Sequence, residues 1–315
     1  MFDLSTAKSK VNEIHANIEK VMVGKSNEIK LVLVAMAAGG HVLIEDVPGT
    51  GKTTLAKALA ASISGNFRRI QFTPDLLPSD LTGINVYNPQ TGEFTFRKGG
   101  LFTNILLADE INRATPRTQS GLLECMEEYQ ISIDGVTHAL EPPYFVLATQ
   151  NPVETQGTFP LPEAQLDRFM MQISIGYPDK SGEADVIQRF LANSPLQTLT
   201  SVTTVQDWVQ IQKAVSTVTV HRDLCEYISA LAIFTRNHES AALGVSPRAS
   251  LALARAAQAY AFIDGRDFVK PEDIKYLAPY VWAHRITLRS TVRSEGKAQV
   301  IHNALAQVPV PTEEI

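Results

Sequence analysis

Val47-Pro48-Gly49-Thr50-Gly51-Lys52-Thr53-Thr54 is the stretch on which the reading of this chain turns. Gly49 and Gly51 permit a tight turn in which successive backbone N–H groups converge, the arrangement that cradles phosphate oxygens. Lys52 adds a point charge suited to β and γ phosphates, and Thr53 offers a hydroxyl to Mg2+. The flanks agree with this reading. His41-Val42-Leu43-Ile44 is a short apolar run of the kind that forms a buried parallel strand. Leu55-Ala56-Lys57-Ala58-Leu59-Ala60-Ala61 is rich in helix formers. Strand, glycine-rich loop and helix, in that order, aim a helix N-terminus at the anion. An ordinary glycine–proline turn needs no such context. One position departs from the common pattern, which has glycine six residues before the lysine; here it is Asp46.

Further along, Leu106-Leu107-Ala108-Asp109-Glu110 ends an apolar strand on two carboxylates. Asp109 would emerge at the carboxyl edge of the sheet, where open α/β sheets bind ligands, and would hold Mg2+ through water. Strand alternation turns Glu110 to another direction, so it can face an attacking water as general base. A solvent-facing acidic pair is the bland alternative, weakened by the phosphate loop upstream. Thr149-Gln150-Asn151 ends the next apolar run. The Asn151 amide could hold the water or the γ-phosphate, or Asn151-Pro152 could simply open a turn. Arg168, in Leu166-Asp167-Arg168-Phe169, stands just before the last strand, where an arginine can complete another subunit's site or pair with Asp167 or a neighbouring helix. Arg248 lies in the first turn of an alanine-rich helix, where a cation opposes the helix dipole. That misfit favours an external anion such as a γ-phosphate over a solvated surface role.

With 315 residues the chain can form about two domains and bury a core without staples. Its 44% hydrophobic and 19% charged content is that of a soluble protein, and a net charge of −5 argues against nonspecific nucleic-acid binding. Cys125 and Cys225 have no metal or redox spacing and read as small buried apolar residues in a reducing cytosol. No run reaches the roughly 18 apolar residues that span a membrane; 31–38 reads as a buried helix. The N-terminus lacks a signal-peptide pattern, so the expected location is cytoplasmic, with no membrane insertion.

Residues 6–38 read as two helices flanking Val23-Gly24. From 41 to 178, apolar runs at 42–45, 69–72, 105–108, 145–149 and 171–175 alternate with helical segments, which implies an α/β fold with a parallel sheet covered by helices. Segments 84–87 and 93–96 alternate in period two around Asn88-Pro89-Gln90-Thr91-Gly92, and 130–133 and 136–140 flank Asp134-Gly135; both are hairpin patterns. In the first hairpin, Phe94 and Phe96 share a face apolar enough to pack, leaving a polar tip at 88–92. Residues 183–302 read as helical. Ser246-Pro247 caps and opens the clearest helix, which stops at Asp264-Gly265, and Lys270-Pro271 opens another. The histidines show no metal spacing; His284-Arg285 and His221-Arg222 read as packing or surface residues.

The order of these parts resembles an AAA+ ATPase of the MoxR family, over nearly the whole chain. The residues that carry the resemblance are Val23-Gly24, the run from Gly40 to Thr53, Leu107 to Ala114, Gln119 to Glu124, Ala148 to Pro152, Glu163 to Phe169 and Ser246-Pro247-Arg248. Asp46 is acceptable in this family's variant of the loop. The resemblance implies an AAA+ P-loop core at 1–180, with a parallel five-stranded sheet of order 5-1-4-3-2 and two inserted β-hairpins. It implies a smaller C-terminal all-α lid at 181–315. It places the 84–96 hairpin as an insert in the second helix and the 130–140 hairpin before the sensor strand. Asn151 then matches sensor 1, Arg168 the arginine finger and Arg248 sensor 2; Val23 and Gly24 match the segment near adenine. The implied activity is ATP hydrolysis with Mg2+, in a ring, commonly a hexamer. The implied output is chaperone-like maturation or activation of a client protein complex, often with partners carrying von Willebrand factor A domains.

Two other readings share parts of this pattern. An ATPase subunit of a magnesium-chelatase-like enzyme would have both hairpins. A DNA-directed motor is disfavoured by the acidic charge and the lack of a basic aromatic stretch. No Asn-Lys-x-Asp motif points to guanine, and a whole helical domain as lid fits a motor better than a small-molecule phosphotransferase.

Overall fold

The computed structural model describes residues 4–151, 157–192, 195–289 and 296–311. Its centre is a five-stranded sheet. Val42–Glu45 pairs in parallel with Phe145–Gln150 on one side and Met171–Ile173 on the other. Ile105–Asp109 lies beyond Phe145–Gln150, and Phe67–Gln71 closes the edge. With core strands counted in chain order, the arrangement is 5-1-4-3-2. The central strands are buried because helices cover both faces, which is why they read as continuous apolar runs.

Alternation divides those runs between two cores. Val42, Ile44, Ile105, Leu107 and Leu147 face a cluster that continues through the helices Leu4–Glu19 and Ser26–Ala37 to Trp208, Phe262 and Trp282 in the helical C-terminal region. Leu43, Leu106, Ala108, Val146 and Ala148 face the other, with Phe72, Leu122 and Phe169. The N-terminal helices therefore bridge the sheet to the lid. Lys30 pairs with Asp264 at 2.7 Å and Lys10 with Asp207 at 3.1 Å along the same seam.

Two strand ends lie two residues from expectation; the other differences are of one residue. The second strand runs over Phe67–Gln71, starting two residues earlier than 69–72, because its register is fixed by pairing from Phe67 opposite Ile105 to Gln71 opposite Asp109. Its edge position leaves Arg68 and Arg69 exposed, so the apolar signal there is weak. The fifth strand stops at Ile173, because the next amides at Ile175 and Gly176 turn to the Asp46 carboxylate.

The lid helices are capped as their sequences require. Ser246 Oγ accepts from the Ala249 amide at 3.1 Å at the start of Pro247–Ile263, and Thr204 does the same for Val205–Val215. A short antiparallel pair, Ala241–Leu243 with Thr287–Leu288, adds the lid's strand content.

Both hairpins are present, Gly83–Asn88 with Glu93–Lys98 and Gln130–Ile133 with Val136–Ala139. The first follows a single helical turn, Pro78–Thr82, and the chain then leads to the Ile105–Asp109 strand without resuming a helix. Gly83 makes this possible: its φ is +99°, and a Cβ there would lie 2.4 Å from the Arg97 carbonyl oxygen. The expected packing of the apolar hairpin face is corrected. Tyr87 and Phe94 face each other with ring centroids 5.3 Å apart yet are 53% and 70% exposed. Phe96 alone of the three packs, stacked on His138 at 4.1 Å and edge-on to Phe102. Asn85 also donates to Asp134 at 2.7 Å, so the hairpins brace each other near the base of the first. The reading of the cysteines is corrected too: Cys125 is buried, but Cys225 is exposed.

Candidate functional site

The strand Val42–Glu45 ends directly beneath the glycine-rich loop, and the helix Lys52–Ser62 begins at its far side. Gly49 and Gly51 have φ of +87° and +89°, the left-handed conformation that glycine adopts without strain. The loop lines a cavity of about 380 Å³ with Pro48, Gly49, Gly51, Lys52, Thr53 and Thr54. The opposite wall is built from strand ends: Asp109, Glu110, Thr149, Gln150 and Asn151, with Arg69. Lys52 Nζ donates to the carbonyls of Asp46 and Val47, at 3.0 and 2.9 Å. Val47 thus contributes a carbonyl to the loop's own closure rather than a surface to the cavity.

The two carboxylates are held differently. Asp109 accepts from Thr149 Oγ1 at 2.6 Å and forms an ion pair with Arg69 at 2.6 Å. Glu110 accepts from Gln71 Nε2 at 2.8 Å and lies 3.3 Å from Arg113 Nη1. Its direction is set by a left-handed backbone, φ +54°, a strained conformation for a non-glycine residue. Its amide donates to Thr149 Oγ1 at 2.8 Å, so one hydroxyl ties both acids to the neighbouring strand.

Thr53 and Asp109 line the same cavity. A hydroxyl and a carboxylate are hard oxygen donors, the set that suits Mg2+ shared with substrate phosphates. Among the described residues no group of three or more His, Cys, Asp or Glu gathers as a metal cage.

A second cavity, also about 380 Å³, adjoins the first across Gly49, Gly51 and Thr54. Thr50 lines this one, together with Val21, Met22, Val23 and, on the lid side, Tyr177, Val186 and Phe190. Its apolar wall is what a purine base needs next to a phosphate site. Val23 is in that wall. Gly24 lines neither cavity, and with φ +69° it turns the chain between the two N-terminal helices.

Arg168 and Arg248 lie elsewhere. They line a third pocket with Arg255 and Arg285, and it shares no lining residue with the cavity under the glycine-rich loop. Both pair with Glu127 on the helix Pro116–Glu128, Arg248 at 2.8 Å and Arg168 at 3.4 Å. Asp167 does not pair with Arg168. Its carboxylate lies 2.9 Å from Arg285 Nε and accepts from Ser246 Oγ at 3.1 Å, which clamps the lid onto the segment before the last core strand. Arg285 is buried, and burial draws its pKa down to about 10, so it remains a cation at neutral pH.

Comparison with known proteins supplies the kinship. The profile of the ATPase family associated with various cellular activities (AAA) matches residues 41–171, and that of the AAA lid domain matches 233–304. Chaperone MoxR1 of Mycobacterium tuberculosis is 38% identical over 92% of this chain and 79% of its own length. Protein MoxR of Paracoccus denitrificans is 30% identical over 98% of both chains. The chain belongs to the MoxR family of AAA+ ATPases.

Two further relatives of this MoxR-family chain are similar along nearly all of its length. The uncharacterized protein YeaC of Bacillus subtilis is 50% identical over 94% of this chain and 93% of its own. A crystal structure of a candidate ATPase from Cytophaga hutchinsonii superposes with a TM-score of 0.92, at 40% identity, covering 98% and 97% of the two chains.

Sequence reading did not single out Arg69, Gln71, Glu127 or Arg255. Arg69 and Gln71 flank Ile70 in one edge strand, and alternation sends both toward the acids of the next strand. That i, i+2 polar pair was the available signal. Glu127 and Arg255 carry no such mark; only folding brings them beside Arg168 and Arg248.

Proposed function

We propose that this MoxR-family chain binds ATP with Mg2+ and hydrolyses it, with nucleotide phosphates on the 48–54 loop and adenine against Val23. One observation carries the reading: the loop, Asp109, Glu110 and Asn151 line one cavity, and an apolar cavity adjoins it through shared glycines. Lys52 and the loop amides bind the phosphates. Thr53 and Asp109 would hold Mg2+, which supplies charge neutralisation for the leaving and transferring groups. Glu110 accepts a proton from the attacking water, and the Asn151 amide orients that water or the γ-phosphate. Negative charge on the transferring phosphoryl group needs further cations, and the separate arginine pocket supports a supply from a neighbouring copy by Arg168 and Arg248. The protein then works as a ring, in our reading a hexamer in the cytoplasm, with an ATPase core at 1–180 and a lid at 181–315. Its output is chaperone-like remodelling of a client complex, with a von Willebrand factor A domain as the partner type to test first. Among the described residues no helix is long and apolar enough to cross a membrane.

Two variants test the chemistry. Lys52→Ala is expected to lose nucleotide binding, because the lysine contacts phosphates in the ground state. Glu110→Gln is expected to keep binding and to lose about 10² to 10⁴ in turnover, the range for a general base. Near-normal ATPase activity in purified Glu110→Gln protein would sink the assignment.

A further inference from the structure

Asp46 stands where phosphate loops commonly have glycine, and its side chain is buried at the foot of the loop. One carboxylate oxygen accepts from the Val47 amide at 2.8 Å. The other accepts from the amides of Ile175 and Gly176, at 2.9 and 2.7 Å. Those two residues begin the segment that leads from the last core strand into the helix Lys180–Ala192. Three amides on one carboxylate make a strong, directional anchor. Gly176 itself is left-handed, with φ +65°, so the chain turns sharply where it is gripped. From the other side Lys25 Nζ donates to the carbonyls of Ile175 and Tyr177, at 2.6 and 3.0 Å.

The main chain of the same residue takes part in the phosphate site, since its carbonyl accepts from Lys52. Phosphate oxygens bound on the loop would compete for that ammonium group, and the 46–47 backbone would then lose its cationic partner. Any shift of this backbone would carry the Asp46 carboxylate with it. Buried and bonded to Ile175 and Gly176, the carboxylate cannot leave them without a desolvation cost. Tyr177 and Pro178 follow at once and line the apolar cavity beside Val186 and Phe190.

We infer that Asp46 is a positioning residue that couples phosphate on the loop to segment 174–179, and through it to the lid helix that closes the base side. The inference rests on the ATP-binding reading and goes beyond it, because it gives the loop a mechanical output inside one subunit.

Hydrogen exchange read by mass spectrometry, with and without a non-hydrolysable ATP analogue and Mg2+, tests the coupling. In the wild-type protein, peptides covering 46–54 and 173–179 should both change protection on nucleotide binding. In Asp46→Ala the first change should persist, with affinity within about threefold, and the second should vanish. Steady-state kinetics should split the same way, with kcat down about tenfold and KM within about threefold. Asp46→Asn, which keeps an acceptor oxygen, should recover part of both signals. It also carries the test if Asp46→Ala fails to fold. A normal nucleotide response at 173–179 in the variant that folds overturns the coupling, as does loss of nucleotide binding alone. Absence of nucleotide binding by the wild-type protein would overturn the ATPase reading itself, and the coupling with it.

Discussion

The Thr149 hydroxyl donates to Asp109 and accepts from the Glu110 amide, so a single buried oxygen sets the relation between the two acids. Thr149→Val keeps the shape and removes the oxygen. It should cost about 1–3 kcal/mol in urea denaturation, the penalty for orphaned buried polar groups. On the proposed ATPase reading it should also lower kcat more than nucleotide affinity, because the glycine-rich loop is untouched; an unchanged kcat would show that the acids are placed without it. The two thiols make a second contrast. Burial pushes the Cys125 thiol up to about 12, whereas Cys225 is exposed. Thiolate, not thiol, is the reactive form, so one equivalent should react quickly with a disulfide reagent in the native state and the second only in denaturant. Replacing Cys225 with serine should abolish the fast phase.

Periodicity revealed the elements themselves; how each packs was less legible. The apolar runs and the 3.6-residue pattern place the sheet strands and lid helices, and the hairpin turns stand out by their Asn, Asp, Pro and Gly residues. Whether a hairpin face packs depends on what folds against it, which lies elsewhere in the chain. Phe94 and Phe96 are equivalent in the sequence pattern, yet His138 of the other hairpin covers only Phe96. Phe94→Ser should therefore change stability by no more than about 0.5 kcal/mol, as at other exposed sites. Phe96→Ala should cost clearly more, roughly 1–3 kcal/mol, by loss of the ring contacts. Equal effects in urea denaturation would mean that the hairpins do not brace each other in solution. If the hairpin meets a client, the exposed Tyr87–Phe94 pair near its tip would take part, and joint replacement of the two by serine should spare basal ATPase and reduce partner-stimulated turnover; unchanged stimulation would place the contact elsewhere.

At the scale of the whole molecule, the arginine pocket lies apart from the glycine-rich-loop cavity of its own chain. If Arg168 serves a neighbour, mixing Arg168→Ala with Glu110→Gln subunits should restore activity, because some interfaces regain both groups. Arginines supplied in trans are worth about 10³ to 10⁵ in rate, so even a small fraction of repaired sites is measurable; mixtures as inactive as either parent would make Arg168 structural. Two buried histidines set a pH limit on the fold. Burial lowers His41 to about 4 and His284 to about 3 from an ordinary 6.5. Below pH 6.5 the unfolded chain takes up protons that the folded one refuses, so stability is full above that pH and falls as pH drops toward 4. Each histidine adds a slope of up to about 1.4 kcal/mol per pH unit. Urea midpoints should fall between pH 7 and 5, and a flat profile would mean that the rings are solvated. The sequence alone determined the glycine-rich loop, the strand–loop–helix context, the acidic pair and the two-part α/β and helical organisation, because each depends on residues close together in the chain. Tertiary structure decided the grip of Asp46 on residues 175–176, the contacts of Arg69 and Gln71 with the two acids, and the meeting of Arg168 and Arg248 on Glu127. Those contacts join residues far apart in sequence, whose partners are fixed by strand order and by lid docking, and no local periodicity encodes either.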